Sequence, residues 1–511
     1  MTRTLVPSVF AVLVPSVLAL LALLGAAPAP IVQPALGGVP WPDDAIVKLD
    51  ADLEAMLATS PALRGAHYGV LAVDTATGNV LYDHAADSEF QPASTLKLLV
   101  GSAALEKLGS AYRFRTELAD LDRDGAPIAG AFILVAGGDP TLATSDLAEA
   151  ASALATLHLG TVSVAIDASR YDAKPYADGW TWDDFGQPYA PKISAMTLDE
   201  NVVSLRVAPG AAPGASAVVY FKDPLRPLAP ADPCHPVNAS AAVTGPANSE
   251  DTIDVARRPD GCIDVVGSIP FGAPEESVGA GVEDPILSAT ETLANALRAE
   301  NLAIGASPAS SVPAATPAPG ALTYSAGRAG WLHDSEPFGT LLGPRFWIPS
   351  DNLFAELLLK ELGHAGGAKP ATTADGIAFE TTWLQSIGVD PATVTLADGC
   401  GMSQYDRITP RDLVAILQHD WNGPNRQLVL DSLPVGGARG TIEGIAGTAA
   451  AGRVFAKTGS MMHVRGLAGY LATKRHGAVT FAFSVDDWNG DYPSLAALRA
   501  QVLSRIVDDG T

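Results

Sequence analysis

Apolar positions along this chain change their spacing several times, and each change predicts a different element. Residues 68–73 (Tyr-Gly-Val-Leu-Ala-Val) form a short apolar run that predicts a strand, 74–78 (Asp-Thr-Ala-Thr-Gly) carry turn chemistry, and 79–82 predict the returning strand. Residues 94–108 follow as a buried helix, with Leu96, Leu99, Val100 and Leu105 as its apolar positions. From about 114 to 320 the texture differs. Short apolar runs at 132–136, 162–166, 202–207 and 217–221 alternate with Gly, Pro and Asp, which predicts β-rich inserted material. Residues 305–320 are low in complexity and read as a linker. After 345 helical spacing returns, with Leu353, Phe354, Leu357, Leu358 and Leu362 predicting a helix over 351–362. A second helix is expected over 409–419, with Pro410 in its first turn. Runs at 454–457, 466–471 and 479–485 predict three strands, and 492–507 a closing helix. The expected class is α/β (α+β): helices flank a terminal antiparallel meander, and a β-rich block interrupts them.

Composition narrows the function classes. The 511 residues suffice for two or three domains, and 48% hydrophobic content supports a large core. With 32 Lys+Arg against 56 Asp+Glu the net charge is −24, and no basic run offsets it, so nucleic acid is excluded as a partner. The first residues read as an export signal ending near residue 29. Arg3 supplies a thin positive start, an apolar stretch runs over 9–24 with Pro15 inside it, and Gly25, Ala26, Ala27 and Ala29 offer cleavage sites. The expected location is therefore periplasmic or extracellular, at the cell wall. The stretch 5–27 is also long enough to stay as an anchor, the one route to a membrane partner. Cys234 and Cys262 fit a disulfide that stabilises by about 3 kcal/mol, with free buried thiols as the other reading. Cys400 is left over either way.

Three short motifs carry chemistry. In Ser94-Thr95-Leu96-Lys97, a helical turn puts Lys97 on the same face as Ser94. Burial among Leu98, Leu99 and Val100, together with the helix start, lowers the lysine pKa, so that a neutral amine can take the hydroxyl proton. In Ser350-Asp351-Asn352, Ser350 is placed to relay a proton and Asn352 to hold a substrate amide. In Lys457-Thr458-Gly459-Ser460, at the end of a predicted strand, Lys457 supplies a fixed positive charge. Thr458 and Ser460 there supply hydroxyls for a carboxylate, and Gly459 lets a substrate backbone lie along the strand edge. Each motif alone reads equally well as a helix cap or a solvated strand end; the three in this order and setting point to a catalytic site. No His-Glu-x-x-His, metal spacing or phosphate-binding loop occurs, so no metal or other cofactor is expected.

The set resembles the class C low-molecular-mass penicillin-binding proteins, the D-alanyl-D-alanine carboxypeptidase/endopeptidase family. Further similarity lies in Gly137-Gly-Asp-Pro-Thr-Leu142, Gly179-Trp-Thr-Trp-Asp-Asp184, Ser194-Ala-Met-Thr-Leu198 with Asn201, Asp398-Gly-Cys-Gly-Met-Ser403, Ser432-Leu-Pro-Val435 and Ala468-Gly-Tyr470. The resemblance implies a β-lactamase/transpeptidase-like domain with an antiparallel sheet flanked by helices, interrupted by two nested β-rich inserted domains. Its expected parts are 42–113 and 324–511 for the transpeptidase-like domain, 114–194 and 283–323 for one insert with its linker, and 195–282 for the nested one. It also implies Ser94 as acylated nucleophile, Lys97 as its base, Ser350 with Lys457 as relay, and the backbone N–H groups of Ser94 and Ser460 as oxyanion hole. The implied partners are peptidoglycan stem peptides as substrate and β-lactam antibiotics as covalent inhibitors.

Two positions depart from the family pattern. Cys400 stands where Ser is usual, flanked by two glycines, and reads as a small packed residue. Gln404 stands where Arg is common, with Arg407 three residues on as the nearest substitute. Asp184 is the candidate for gripping a side-chain amine of the substrate. Two rivals share the scaffold. A β-lactamase needs a deacylating Glu between the second and third motifs, and none stands there in a Glu-x-x-Leu-Asn setting. A non-catalytic wall-binding or penicillin-sensing protein predicts decay of one motif, and all three are intact.

Overall fold

A computed structural model describes residues 29–123, 126–221, 237–258, 261–305, 322–442 and 444–508. The expected export signal, Cys234 of the expected disulfide and nearly all of the 305–320 stretch lie outside the described residues.

The chain closes on itself through one five-stranded antiparallel sheet. Its strands are β1 (His67–Asp74) and β2 (Val80–His84) from the start, and β14 (Val454–Met461), β15 (Val464–Ala472) and β16 (Ala478–Asp486) from the end. They stand in the order β14-β15-β16-β1-β2. The central strands are buried on both faces, and alternation sorts their side chains. Val70, Phe481, Phe483 and Val485 pack with Leu49, Leu53 and Leu57 of helix α1 (Asp43–Ala58) and with the closing helix, Tyr492–Val507. Leu71, Val73, Phe455 and Ala482 face the other way, onto Leu98 and Leu99 of helix α2 (Lys97–Lys107) and Phe354 of helix α3 (Asn352–Ala365). The antiparallel sheet flanked by helices is the architecture expected from the sequence.

Helix α3 departs from expectation. Its apolar stripe is buried as predicted, but so are Glu356, Lys360 and Glu361, leaving no solvent face from Leu353 to Gly363. The interrupting block covers that side. Arg170 donates to both oxygens of Glu361 at 2.8 and 2.6 Å, and Lys360 pairs with Asp172. Buried charges persist only when paired in this way.

The interrupting block holds more helix than its punctuation suggested. One sheet orders β12 (Ala303–Ile304), β5 (Thr161–Asp167), β4 (Ala126–Val135), β3 (Arg115–Arg123) and β13 (Leu322–Asp334). The pairs β4–β5 and β12–β5 are parallel. Parallel neighbours need a crossover, and here it is helical: Thr144–Ala155 leads from β4 to β5, and Pro285–Ala299 precedes β12. Between them, two three-stranded sheets enclose a separate small core of Val203, Leu205, Phe221, Ile263 and Val265. One contains β6 (Val202–Ala208), β7 (Val218–Phe221) and β11 (Glu276–Gly281). The other contains β8 (Val237–Gly245), β9 (Asp254–Arg257) and β10 (Ile263–Pro270).

Candidate active site

Ser94 lies in a 3-10 turn, Ala93–Leu96, that runs directly into α2. The tighter turn differs from the regular helix start expected, yet it still puts Lys97 Nζ 2.8 Å from Ser94 Oγ. Ala93 adopts φ +44°, a conformation that costs a non-glycine residue energy and needs outside support. Support comes from both sides. A Cβ on Gly401 would lie 1.9 Å from the Ala93 carbonyl oxygen, so only glycine fits there. A Cβ on Gly459 would lie 2.7 Å from the Pro92 oxygen and 3.2 Å from the Ser94 nitrogen. Gly459 thus brings the end of β14 against the Ser94 backbone.

The second motif arrives from α3. Asp351 caps the helix by accepting from Phe354 N at 2.7 Å, and Ser350 precedes it with φ +64°, a second strained position. Just upstream a π-helical segment, Leu342–Trp347, directs Trp347 Nε1 to the Lys97 carbonyl at 2.9 Å. Ser350 Oγ lies 2.8 Å from Lys457 Nζ, which also donates to the Thr458 carbonyl at 3.0 Å. Segment 434–436 bonds the first residues of β14 through Ala456 N to Pro434 O and Gly436 N to Val454 O. Beyond Ala456, no described strand pairs with that edge of β14.

The structure therefore brings Ser94, Lys97, Asn352, Ser350 and Lys457 into one connected set. Lys97 Nζ is also 2.6 Å from Asn352 Oδ1 and 2.9 Å from the Cys400 carbonyl. Asn352 Oδ1 thus serves Lys97, and its Nδ2 donates to Tyr189 O at 2.7 Å. Thr458 shares a 2.6 Å hydrogen bond with Thr441, while Ser460 is exposed at the strand end.

Two further expected site residues, Asp184 and Arg407, are held by groups of their own segments. Asp184 Oδ2 accepts from Thr181 N and Oγ1 at 2.9 and 2.7 Å, closing its own 3-10 turn, and Oδ1 accepts from Tyr189 Oη at 3.2 Å. Arg407 donates to the carbonyls of Gln404 and Asp406 at 3.0 and 2.6 Å, tying its own loop. Neither has a described contact with the five grouped residues. Short polar residues and arginines in irregular segments satisfy local backbone groups first, which the sequence motif alone does not reveal.

Burial sets the electrostatics. Lys97 and Lys457 are both fully buried. Burial pushes the Lys97 amine below its ordinary range, against the Cys400 thiol group and the nearby acids Asp398, Asp351 and Glu356. Lys457 is pushed well down by burial and further by Lys97 beside it. Burial raises Glu356 to about 8 and Asp351 to about 6. The Cys400 thiol is driven well up by burial, in keeping with a packed residue.

Sequence reasoning missed the acids behind Lys97. Glu356 follows Asn352 by four residues on α3, a spacing that shares a face and was the available signal. Glu356, Asp398 and Cys400 offer ligand atoms within 4.8 Å of one another, the one such group of metal-ligating type among the described residues. Asp398 and one Glu356 oxygen already accept backbone N–H groups, so the cluster is built as a set of hydrogen-bond acceptors.

The antiparallel sheet, its flanking helices and a serine beside a buried lysine define a β-lactamase/transpeptidase-like serine enzyme. The model of the D-Ala-D-Ala carboxypeptidase 3 (S13) family matches residues 49–503, and the chain belongs to that family. It is 32% identical over 482 residues to a D-alanyl-D-alanine carboxypeptidase of Actinomadura sp. (strain R39), spanning 91% of this chain and 85% of the relative. It is 23% identical to the D-alanyl-D-alanine carboxypeptidase DacB of Haemophilus influenzae, over 87% of this chain and 90% of the relative. The crystal structure of penicillin-binding protein 4 (dacB) from Haemophilus influenzae superposes with a TM-score of 0.73 at 21% identity, covering 89% of this chain and 99% of that one, a likeness of fold. The chain is thus an enzyme of the serine-type D-Ala-D-Ala carboxypeptidase class. No helix among the described residues is long and apolar enough to cross a membrane.

Proposed function

We propose that Ser94 is the acylated nucleophile of an exported enzyme that hydrolyses peptidoglycan stem peptides ending in D-Ala-D-Ala and the D-amino-acid cross-bridges between them. The observation that carries this reading is the pairing of two lysine–serine contacts, Lys97 with Ser94 and Lys457 with Ser350, each at 2.8 Å, with the lysines fully buried and the serines half-buried beside an open strand edge. Neutral Lys97 takes the Ser94 proton as Oγ bonds to the scissile carbonyl carbon. The Ser94 and Ser460 N–H groups receive the oxyanion. The C–N bond then breaks, and the proton taken up by Lys97 passes by way of Ser350 and Lys457 to the leaving amine, which returns Lys97 to its neutral form. Water repeats the sequence on the acyl-enzyme, releasing the shortened peptide and restoring Ser94. A β-lactam follows the first half and remains attached. The substrate backbone lies along 457–460, where Lys457, Thr458 and Ser460 receive its terminal carboxylate. The domain division set out from the sequence, with the inserted block walling one side of this cleft, belongs to the same reading.

The test is labelling and digestion. The mature protein is expected to take up fluorescent penicillin stoichiometrically and to lose that label in Ser94→Ala. Defined muropeptides, monomeric and cross-linked, are expected to lose a terminal alanine or split at the bridge. Persistent labelling of Ser94→Ala, or rapid turnover of nitrocefin without a lasting adduct, would overturn the assignment.

A further inference from the structure

A neutral amine has two N–H groups and one lone pair, and Lys97 Nζ has three near partners. Two of them, Asn352 Oδ1 at 2.6 Å and the Cys400 carbonyl at 2.9 Å, only accept. The third, Ser94 Oγ, has a proton to give. With both N–H groups held by the fixed acceptors, the lone pair is left aimed at the Ser94 hydroxyl. Lys97 can be oriented as a base only while both acceptors stay in place.

The Cys400 carbonyl sits on an irregular loop, and buried side chains hold that loop. Glu356 Oε1 accepts from Gly399 N and Cys400 N, both at 2.9 Å. Asp398 Oδ1 accepts from Gly401 N at 2.6 Å, and Oδ2 accepts from Ser403 N at 2.7 Å and from Trp180 Nε1 at 2.9 Å. Trp180 lies before the first strand of the smaller sheets, far along the chain from the loop. Gln404 N donates to Gly179 O at 3.1 Å, so the same segment grips the loop a second time.

We propose that Glu356, and Trp180 acting through Asp398, are positioning residues that keep the Cys400 carbonyl on Lys97 and so aim its lone pair at Ser94. The proposal rests on the reading of Lys97 as the base. Glu356 and Asp398 differ in what they tolerate. Glu356 Oε2 has no partner, so glutamine keeps the working acceptor at Oε1. Both Asp398 oxygens receive N–H donors, so an asparagine would set its own N–H₂ against one of them.

The experiment measures acylation of the full chain by a chromogenic penicillin, separating the saturating rate from the half-saturating concentration, with circular dichroism reporting the fold. Glu356→Ala is expected to slow the saturating rate about 100-fold, the scale of a small misplacement of a reacting group, with half-saturation within about 2-fold of the parent. Glu356→Gln is expected to recover that rate to within about 5-fold of the parent, and Trp180→Phe to lower it about 10-fold. A loss of packing alone would lower the folded fraction and leave the rate per folded molecule unchanged. Lys97→Ala is the companion control: if it acylates at the parent rate, the reading of Lys97 fails. If it is inert while folded Trp180→Phe acylates at the parent rate, the positioning proposal alone is overturned. Trp180→Phe decides that point whether or not Glu356→Ala folds.

Discussion

Lys97 and Lys457 are both fully buried, both touch a serine hydroxyl at 2.8 Å, and they differ in everything around them. Lys97 has an amide oxygen and a backbone carbonyl as partners, and the Cys400 thiol group and three nearby acids oppose the effect of burial. Lys457 has the Thr458 carbonyl and a second lysine, which adds to the effect of burial. One pocket holds an amine against the Ser94 hydroxyl, and the other holds an amine at the unpaired edge of β14, where the proposed function lays the substrate. The same residue type thus receives two tasks from its surroundings, as expected when environment, not identity, sets protonation.

Removing the orienting pocket's amine has the largest expected effect. Lys97→Ala should lower penicillin acylation by about 10³–10⁴-fold, measured as the second-order labelling rate, because the proton of Ser94 then has no base. If Lys97→Ala and Lys457→Met lose equal amounts with the same pH profile, the distinction between the pockets is wrong. Lys457→Met should lower acylation by about 10²-fold, with the acid limb of the pH profile still set by Lys97. Lys97 adds to burial in pushing the Lys457 amine well down, whereas burial alone pushes the Lys97 amine down, so removing Lys457 leaves that limb in place.

A smaller effect falls on stability. The folded protein holds Glu356 at about 8 against an ordinary 4.5, so its folded-state pKa is raised. Such a group contributes stability that is fully present below the ordinary value and lost as pH rises through the folded value. Glu356→Gln should therefore show a melting temperature that falls less than the parent's between about pH 5 and pH 9. A parallel decline in both proteins would mean that Glu356 does not titrate in this window. The smallest effect is expected from Asp184→Asn. Asp184 closes its own turn, and the change should alter acylation by less than about 3-fold if it stays outside the cleft.

The two lysines and their serines were legible because a helical turn fixes Ser94 against Lys97 and a strand end fixes Lys457. The apolar stripe of α3 was legible for the same reason. Its buried Glu356, Lys360 and Glu361 were not, since their partners Gly399, Asp172 and Arg170 are distant in sequence and no local period announces them. The helix at Thr144–Ala155 was masked by the Gly/Pro punctuation around it, although Leu147, Ala150, Ala151 and Leu154 mark one buried face, while the helical setting of residues 291–295 was legible and lies within Pro285–Ala299. The local hydrogen bonds of Asp184 and Arg407 were not legible either, since the motifs do not show which nearby groups these side chains meet.

The turn bearing Ser94 leans on glycines 401 and 459, which are synthesised after most of the chain. A growing polypeptide therefore carries its reactive alcohol for most of its synthesis without the supports that shape it. Chemical competence should appear late and abruptly, when the final hairpin docks, so fragments truncated before that hairpin should be inert toward penicillin.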